Sequence, residues 1–189
     1  MSYCYNAEWL STISDVIKKS LSAYPRTFML RVDLRFPNVP SSDDNAAISR
    51  FIDSLKAKIK ACQKKKLKKG IRCHKTNLRY IWVKEYGKIN NKKHYHVILL
   101  LNKDAWYRVG EYHKNDSLAG IIKQAWCSAL KLNASLYGSL VHFPKNAELW
   151  INNKCSEQFT QAMKRALYLA KYETKLFGAY ERNFGCSQN

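Results

Sequence analysis

The stretch "LRYIWVKEYGKINNKKHYHVILLLN", residues 78–102, decides the predicted fold. Two runs rich in β-branched and aromatic residues flank the turn-forming segment "GKINNKK", so the stretch is predicted to form an antiparallel hairpin. Side chains alternate between the two faces of a strand, which places His94 and His96 together on one face of the returning strand. Two adjacent imidazoles can bind a metal ion, or they can be ordinary polar residues at a solvated strand end.

Glu85 extends this pair to three candidate metal ligands. With the loop centred near Asn90, Glu85 lies opposite residues 94–96, where antiparallel neighbours have Cβ atoms about 4.5–5.5 Å apart. Two nitrogens and one oxygen suit a divalent ion such as Mn²⁺ or Mg²⁺ and leave positions for phosphate oxygens and water. The alternative is that Glu85 only balances Lys84 or Lys93. Non-haem iron oxygenases use the same ligand types, but their carboxylate usually follows the first histidine by two residues.

The remaining periodicity predicts one α+β domain spanning residues 1–189. Its centre is an antiparallel sheet of about five strands with helices packed on it. The predicted elements outside the hairpin are a helix over about 8–23, a strand over 26–36, a helix capped by "SSDD" and ended by Gly70, a helix over 116–132 capped by Asp116, a strand near 139–143 with "ELWIN" as its candidate partner, and a helix over 156–175 opened by Ser156.

The net charge is the strongest global feature of the chain. Its 189 residues carry a formal charge of +19 at pH 7, and the segment 54–84 contains ten lysines, two arginines and no acidic residue. Such an excess favours a polyanionic partner, most often nucleic acid. A solvated basic helix face and an anionic membrane surface are the alternatives. The lysines that we expect to contact DNA are Lys64, Lys65, Lys66, Lys84, Lys164 and Lys175.

Other features of the composition predict a cytoplasmic protein without a membrane partner. No apolar run approaches the roughly 18 residues of a membrane span. The first ten residues, "MSYCYNAEWL", lack the basic and apolar regions of a secretion signal. The six cysteines are scattered without a Cys-x-x-Cys pair, which argues against a structural zinc site and for reduced thiols.

The last predicted helix carries a tyrosine among cations. Its apolar stripe comprises Phe159, Met163, Ala166 and Ala170, and Tyr168 lies on the opposite side. The residues that share that side are Lys164, Lys171, Tyr172 and Lys175. Neighbouring cations would favour the phenolate and hold a phosphate beside it. The equally simple alternative is an amphipathic tyrosine at the boundary of the core.

Taken in order, Glu85, the segment "HYH" and the segment "YLAK" resemble the HUH endonuclease superfamily, whose name describes a His–hydrophobic–His motif. Tyr168 and Lys171 match the Tyr-x-x-Lys motif of that superfamily. The segments "RVDLR", "HYHVILLLNKDAW", "LVHFP" and "YLAKYETK" also resemble inovirus-type replication initiators and their YagK/YfjJ-like prophage copies. The resemblance extends from about residue 20 to the C-terminus.

The resemblance implies a five-stranded antiparallel sheet that carries the metal site on one face. It also implies an activity, the nicking of single-stranded DNA at an origin sequence. His94, His96 and Glu85 would hold the ion, and Tyr168 would attack to form a 5′-phosphotyrosine and free a 3′-hydroxyl for a polymerase. Lys171 would position or neutralise the phosphate. Some initiators use two tyrosines spaced Tyr-x-x-x-Tyr, as Tyr168 and Tyr172 are, so Tyr172 is either a second nucleophile or a bystander. Asp33 and His142 are in strands that we expect near the site, where His142 either supports the ligands or is a strand histidine with an ordinary hydrogen bond.

Two other functions fit the same residues. The HUH segment can be vestigial in a non-catalytic, basic DNA-binding module, or the same nicking chemistry can serve as a relaxase or transposase. The sequence contains no G-x-x-x-x-G-K-[ST] loop, so we expect a host helicase, or an already single-stranded target, to supply the unwound strand.

Overall fold

A computed structural model describes residues 4–38, 44–87, 92–171 and 182–188 of the chain. Its α-helices are α1 (Ala7–Ala23), α2 (Ala47–Lys68), α3 (Leu118–Ala129), α4 (Ala134–Tyr137) and α5 (Ser156–Ala166). Short 3₁₀ helices cover Gly138–Leu140 and Leu167–Ala170. The strands are β1 (Arg26–Arg35), β2 (Arg79–Tyr86), β3 (Lys93–Asn102), β4 (Val141–His142), β5 (Glu148–Asn152) and β6 (Phe184–Cys186).

The strands form one antiparallel sheet in the order β4-β1-β3-β2-β6, and β5 pairs with β1 beside β4. The predicted α+β fold is therefore confirmed, as are the hairpin over 78–102 and the first helix. Strand β3 lies at the centre of the sheet and is buried along almost its whole length. A strand covered on both faces needs apolar side chains on both, which explains the uninterrupted run "VILLL".

The pairing of the two short strands differs from the prediction. We expected "ELWIN" to pair with the strand near 139–143, but both pair with β1, where Val141 lies opposite Leu34 and Trp150 lies opposite Phe28. Strand β1 has ten residues, so one of its edges is long enough to accept both short strands in succession. The prediction of a local hairpin was wrong because each short strand pairs with the longer edge of β1 and not with its neighbour in sequence.

Three predicted helix ends are also corrected. The cap of α3 is Ser117 rather than Asp116, because the Ser117 Oγ accepts a hydrogen bond from the Gly120 N–H at 3.0 Å. Helix α2 begins without a side-chain cap: the Asp44 carboxylate accepts from the Ala46 N–H, ahead of the first helical residue, and the rest of "SSDD" lies outside the described residues. Helix α5 ends at Ala166 rather than at residue 175, and residues 172–175 lie outside the described ranges.

Two hydrophobic cores lie on opposite faces of the sheet. The first contains inward side chains of β1 and β3 such as Leu34 and Leu99, together with α2 and α3. The second contains the alternate residues of the same strands, such as Met29 and Ile98, together with α1, α5 and the 3₁₀ turn that follows α5. We call these the α2 face and the α5 face. The alternation of strand side chains thus assigns every sheet residue to one helical layer or the other.

The C-terminal strand β6 had no signal in the sequence. It pairs with β2, and a Cβ atom at Gly185 would come within 2.6 Å of the Trp82 ring. Only glycine allows the backbone to approach the indole this closely. Three residues with this constraint give too short a pattern for a strand to be predicted from periodicity.

The segment around Tyr168 is anchored to the start of the chain. The Asn6 N–H donates to the Ala170 carbonyl at 2.9 Å, and Tyr5 and Lys171 form an antiparallel bridge. Leu169 and Ala170 are fully buried in the core of the α5 face. These contacts hold the short 3₁₀ turn between two fixed points.

Two predictions from composition can be compared with the described residues. None of the helices described here is long and apolar enough to cross a bilayer. All six cysteines fall within the described ranges, and no disulfide joins any two of them there.

Candidate metal centre

The three predicted ligands meet where β1, β2 and β3 end together. Glu85 lies directly opposite His94 in the hairpin, and Asp33 lies opposite His96 across the other side of β3. All four side chains therefore belong to the α5 face. The hairpin register matches a loop centred near Asn90, as predicted. Because the sheet fixes these backbone positions, the ligand atoms converge without help from a flexible loop.

The distances among the ligand atoms fit a single ion. The Glu85 Oε2 lies 3.2 Å from the His96 Nε2 and 3.9 Å from the His94 Nε2, and the two Nε2 atoms are 3.3 Å apart. Ligands bound at about 2.0–2.2 Å in tetrahedral or octahedral geometry are separated by roughly 3–3.5 Å from their neighbours. Glu85, His94 and His96 are a group that could hold a metal ion among the residues described.

Hydrogen bonds fix which ring nitrogen of each histidine would face a bound ion. The His94 Nδ1 lies 3.2 Å from the Lys92 carbonyl and donates to it, since a carbonyl can only accept. The His96 Nδ1 lies 2.6 Å from the Asp33 Oδ1 and donates to that carboxylate. In the neutral form of each ring, the Nε2 atom therefore carries the lone pair that a metal ligand requires. This is the arrangement by which outer partners orient metal-binding histidines.

Asp33 is the charged anchor of this outer layer. Burial on its own would raise the pKa of its carboxyl group, but the hydrogen bond and charge of His96, the charge of Arg31 and a contact with His142 lower the pKa to about 2. The Arg31 Nε donates to the Asp33 Oδ1 at 3.3 Å, and the His142 Nδ1 lies 3.4 Å from the Oδ2. Asp33 thus stays ionised and keeps His96 in the tautomer that suits a metal.

Arg31 also approaches His96 directly. Its Nη2 lies 3.2 Å from the His96 Nδ1, which cannot both accept from Arg31 and donate to Asp33. The 2.6 Å contact with a charged carboxylate is the stronger of the two, so we assign the proton of Nδ1 to the bond with Asp33.

The two histidines differ in how readily they take up a proton. Burial would lower the pKa of His96, but its bonds and electrostatic attraction to Asp33 and Glu85 raise the pKa above the ordinary value. Burial and the neighbouring His96 lower the pKa of His94. A proton on His96, like a bound metal ion, places positive charge next to the Asp33 and Glu85 carboxylates. Metal binding therefore competes mainly with protonation of His96.

Tyr168 packs against this centre. Its ring lies edge-on to the His96 ring, with the centroids 5.2 Å apart. The Arg31 guanidinium lies 4.7 Å and the Lys171 Nζ lies 4.9 Å from the centroid of the Tyr168 ring. The predicted neighbourhood of Tyr168 and Lys171 thus exists, although the backbone there is a 3₁₀ turn followed by an extended Lys171. The prediction of a regular helix through these two residues was therefore wrong.

Sequence reasoning missed two arginines at the site. Arg31 and Arg35 flank Asp33 in "RVDLR" and alternate with buried residues, so both point to the α5 face. Arg35 pairs with His94 and lines a pocket that also includes His94, His96, Lys92 and Lys93. The period-2 pattern of this strand could have identified them, had β1 been recognised as the neighbour of β3. These cations, and not the lysine run, border the metal ligands.

The lysines of the basic run lie elsewhere. Helix α2 covers the opposite face of the sheet, and its last turns lie at the far end, where the Lys66 Nζ is 4.8 Å from the Trp106 ring. Lys64 and Lys65 are exposed on this helix, whereas Lys84 is only 3% exposed within the sheet. Burial of Lys84 argues against a direct phosphate contact. Lys164 is exposed on α5, and Tyr172 and Lys175 lie outside the described residues.

Comparison with known proteins identifies relatives over nearly the whole chain. The model of the YagK/YfjJ C-terminal domain matches residues 3–187. The Escherichia coli (strain K12) protein YagK is 40% identical over 193 residues, which cover 96% of this chain and 92% of the relative. YfjJ of the same strain is 39% identical, with 93% and 91% covered. Both relatives are described as uncharacterized.

One solved structure shows a weak likeness to the chain. It is the N-terminal nuclease domain of the minute virus of mice non-structural protein-1, described as having Zn²⁺ coordination in its active-site pocket and a mode of DNA recognition at the origin of replication. The match has 11% identity and a TM-score of 0.29 and covers 97% of this chain and 79% of that domain. Such a low score supports no transfer of fold or activity to this chain.

Proposed function

The chain belongs to the YagK/YfjJ C-terminal domain family, and from that premise and the geometry of the metal centre we propose that it is an HUH-type DNA endonuclease. It cuts one single strand of DNA with a tyrosine nucleophile and can rejoin the ends. The observation that carries this proposal is the packing of Tyr168 against His96, beside the three candidate metal ligands. The β2–β3 hairpin and a turn far along the chain thus bring two imidazoles, a carboxylate and a phenol to one end of the sheet.

In the proposed reaction, the Tyr168 phenol oxygen attacks the phosphorus of the scissile phosphodiester. A bond forms between that oxygen and phosphorus, and the bond from phosphorus to the 3′ oxygen breaks. The phenol loses its proton as it attacks, and the leaving 3′ oxygen gains one to become a hydroxyl. One phosphodiester replaces another, so the reverse attack by the 3′-hydroxyl rejoins the strand.

Two cations beside the ring favour the attacking form of Tyr168. A tyrosine phenol is ordinarily protonated at neutral pH, and the nearby positive charges of Arg31 and Lys171 stabilise the phenolate. The same cations attract the phosphate that must approach the ring. Arg31 is further held by Asp33, so its position is fixed before DNA binds. Preorganised charge of this kind lowers the barrier because it needs no rearrangement during the reaction.

The chain's own residues also define the metal site. Glu85, His94 and His96 would hold a divalent ion, for which we propose Mn²⁺ or Mg²⁺, and Asp33 and the Lys92 carbonyl keep the two imidazoles correctly oriented. When bound, such an ion would polarise the scissile phosphate and offset the charge that develops on it. The two-histidine, one-carboxylate set leaves coordination positions that a phosphate oxygen can occupy.

The products of this chemistry suit the start of rolling-circle replication of a phage or plasmid. A freed 3′-hydroxyl is the primer that a polymerase extends, while the 5′ end stays attached to Tyr168 for later rejoining. The partners in this role are a single-stranded origin sequence, a host polymerase and a host helicase, all in the cytoplasm. The same nick serves conjugative transfer or transposition when the protein-bound 5′ end is later joined to the 3′ end of a different DNA strand.

The decisive experiment is to incubate the protein with single-stranded replicon DNA and Mn²⁺ and to map any covalent adduct by peptide analysis. We expect the DNA on Tyr168, and we expect Tyr168→Phe, which removes only the hydroxyl oxygen, to form no adduct while binding DNA normally. The matched control is Tyr137→Phe on α4, which should react as the unaltered protein does. Tyr172→Phe should still form the first adduct and fail only in a later strand transfer if Tyr172 is a second nucleophile.

The outcome also separates the alternatives. Attachment of DNA to Tyr172, or to any residue outside the 156–175 segment, would overturn the assignment of Tyr168 as the nucleophile. Absence of any adduct on origin-containing DNA, in a protein that binds Mn²⁺ and DNA, would favour the non-catalytic DNA-binding module.

A further inference from the structure

An exposed aromatic platform lies on the other side of the molecule from the metal centre. Tyr107 is 50% exposed and Trp150 is 43% exposed. Their rings are stacked, with centroids 6.0 Å apart and planes inclined by 11°. The Trp150 Nε1–H donates to the Tyr107 carbonyl at 2.8 Å, which fixes the indole relative to the loop after β3. Large aromatic rings in this number and orientation are unusual on an open surface.

Cations lie over both rings of the platform. The Arg108 guanidinium is 4.5 Å from the Tyr107 centroid, and the Lys103 Nζ is 5.3 Å from the Trp150 ring. Asp104 forms an ion pair with Arg26, and the Glu148 carboxylate accepts a hydrogen bond from the Val109 N–H. Glu111, which lines the same pocket as Tyr107 and Trp150, forms an ion pair with Lys114. The platform therefore combines flat apolar surfaces with positive charge.

The platform adjoins the lysine run of α2. Trp150 faces away from its strand neighbours Leu149 and Ile151, which belong to the core of the α5 face, so its indole lies on the α2 side of the sheet. The Lys66 Nζ lies over Trp106, the residue before Tyr107. A chain with phosphates along the end of α2 would therefore bring its bases to Tyr107 and Trp150.

We propose that Tyr107, Trp150, Arg108 and Lys103 form a second, non-catalytic site for a single-stranded nucleic acid. Bases stack on the rings, while the arginine and lysine turn to contact the phosphates. Base stacking on an aromatic ring is stronger than an exposed cation–π contact, so a base displaces the cation from the ring and the cation gains a phosphate. Stacking needs an unpaired base, and this selects single strands over duplex. The site is remote from Tyr168, so a strand held here is not the phosphodiester being cut.

The test measures the affinity of a labelled 12-nucleotide oligothymidylate by fluorescence anisotropy with EDTA present, so that the metal centre takes no part. Tyr107→Ser and Trp150→Ser should each weaken binding about 5- to 100-fold, the range expected for loss of one stacked base. Tyr107→Phe and Trp150→Phe keep a ring and should bind nearly as well as the unaltered protein. Tyr137→Ser, which removes another half-exposed tyrosine, is the matched control and should have no effect.

The dependence of affinity on salt distinguishes stacking from charge. The serine variants should keep the slope of log K against log[salt], because no phosphate contact is lost, whereas Arg108→Gln should lower it by about 0.7. An oligouridylate arm identifies whether DNA or RNA is preferred, and both are nucleic-acid partners of the platform.

Equal binding by the serine variants and the control would overturn the proposal, as would equal losses on single-stranded and duplex DNA. These results are independent of the nicking reaction, since the serine variants should still form the Tyr168 adduct at saturating DNA.

Discussion

The two faces of the sheet carry positive charge in different ways. On the α5 face, Arg31 is held between Asp33 and the Tyr168 ring, and its position is set by the sheet. On the α2 face, lysines such as Lys64 and Lys65 extend into solvent from a long helix. Long-range attraction of a polyanion depends on the number of charges, whereas a phosphoryl transfer depends on their placement. The face with the denser charge is therefore not the face that carries the proposed chemistry.

The largest effect that separates the faces is expected from the ligands themselves. Replacing both His94 and His96 with alanine should lower the nicking rate by a factor on the order of 10³ or more, because the ion is lost. Affinity for DNA should stay within about threefold, since phosphate contacts elsewhere supply it. Gel analysis of nicking and anisotropy of DNA binding measure the two quantities. Glu85→Gln keeps the shape, loses the charge and should cause an intermediate loss.

The control for this experiment is His113→Ala, which removes an exposed histidine. Calorimetry in which the double variant binds Mn²⁺ as well as the unaltered protein does would show that the three side chains are not the metal site.

A smaller but more specific effect is expected from the outer layer. Asp33→Asn retains the shape of the side chain but removes the charge that orients His96 and balances Arg31. We expect metal affinity to fall about 10- to 100-fold, as is typical for such outer partners. Asp104→Asn, which alters an exposed pair with Arg26 at the other end of the sheet, should leave it unchanged. Titration with Mn²⁺ measures both, and unchanged affinity in Asp33→Asn would remove Asp33 from the site.

The α2 face is tested by the triple variant Lys64→Ala, Lys65→Ala, Lys66→Ala. Loss of three phosphate contacts should reduce the slope of log K against log[salt] by about 2 on single strands and lower affinity roughly tenfold at low salt. The adduct yield at saturating DNA should not change. The triple arginine variant keeps the charge and serves as the control. A triple alanine variant that binds DNA normally but forms no adduct would reverse the roles assigned to the two faces.

The smallest effect concerns pH. The folded pKa of His96 is raised, and only neutral His96 can donate its Nε2 lone pair, so metal affinity should fall as pH decreases through that pKa. His94, whose pKa is lowered, stays neutral to a lower pH than His96 does. Below that pKa, binding of one ion releases about one proton. Metal affinity should therefore fall by at most tenfold per pH unit until His94 also becomes protonated. Mn²⁺ titrations between pH 5 and 8 check this, and a constant affinity over that range would contradict it.

The hairpin could be predicted from sequence because its signals are local. A turn-forming loop and two β-rich runs determine which residues face each other, and the position of Glu85 opposite His94 follows from counting. The contacts of Arg31 could not be obtained in this way. They require that β1 pairs with β3 in one register, and that pairing joins residues about 65 positions apart. Nothing in either segment alone specifies the partner.

The end of α5 shows a different limit. The residues after Ala166 have good helical propensity and contain no glycine or proline until Gly178, so a longer helix was the natural prediction. Tertiary contacts decide otherwise, because Tyr168 packs on His96 while Lys171 bridges to Tyr5. A tight 3₁₀ turn satisfies both contacts at once. Propensity was overridden at the segment that carries the proposed nucleophile, where such conflicts are expected.

The bridge between Tyr5 and Lys171 connects the turn that carries the proposed nucleophile to residues 4–6. Because the Asn6 N–H is bonded to the Ala170 carbonyl, local opening of this segment would remove one contact that holds the turn, while Leu169 and Ala170 keep their places in the core of the α5 face. Local openings of this kind cost less free energy than global unfolding. The exchange rate of the Asn6 amide proton therefore reports how often the contact between this segment and the turn opens.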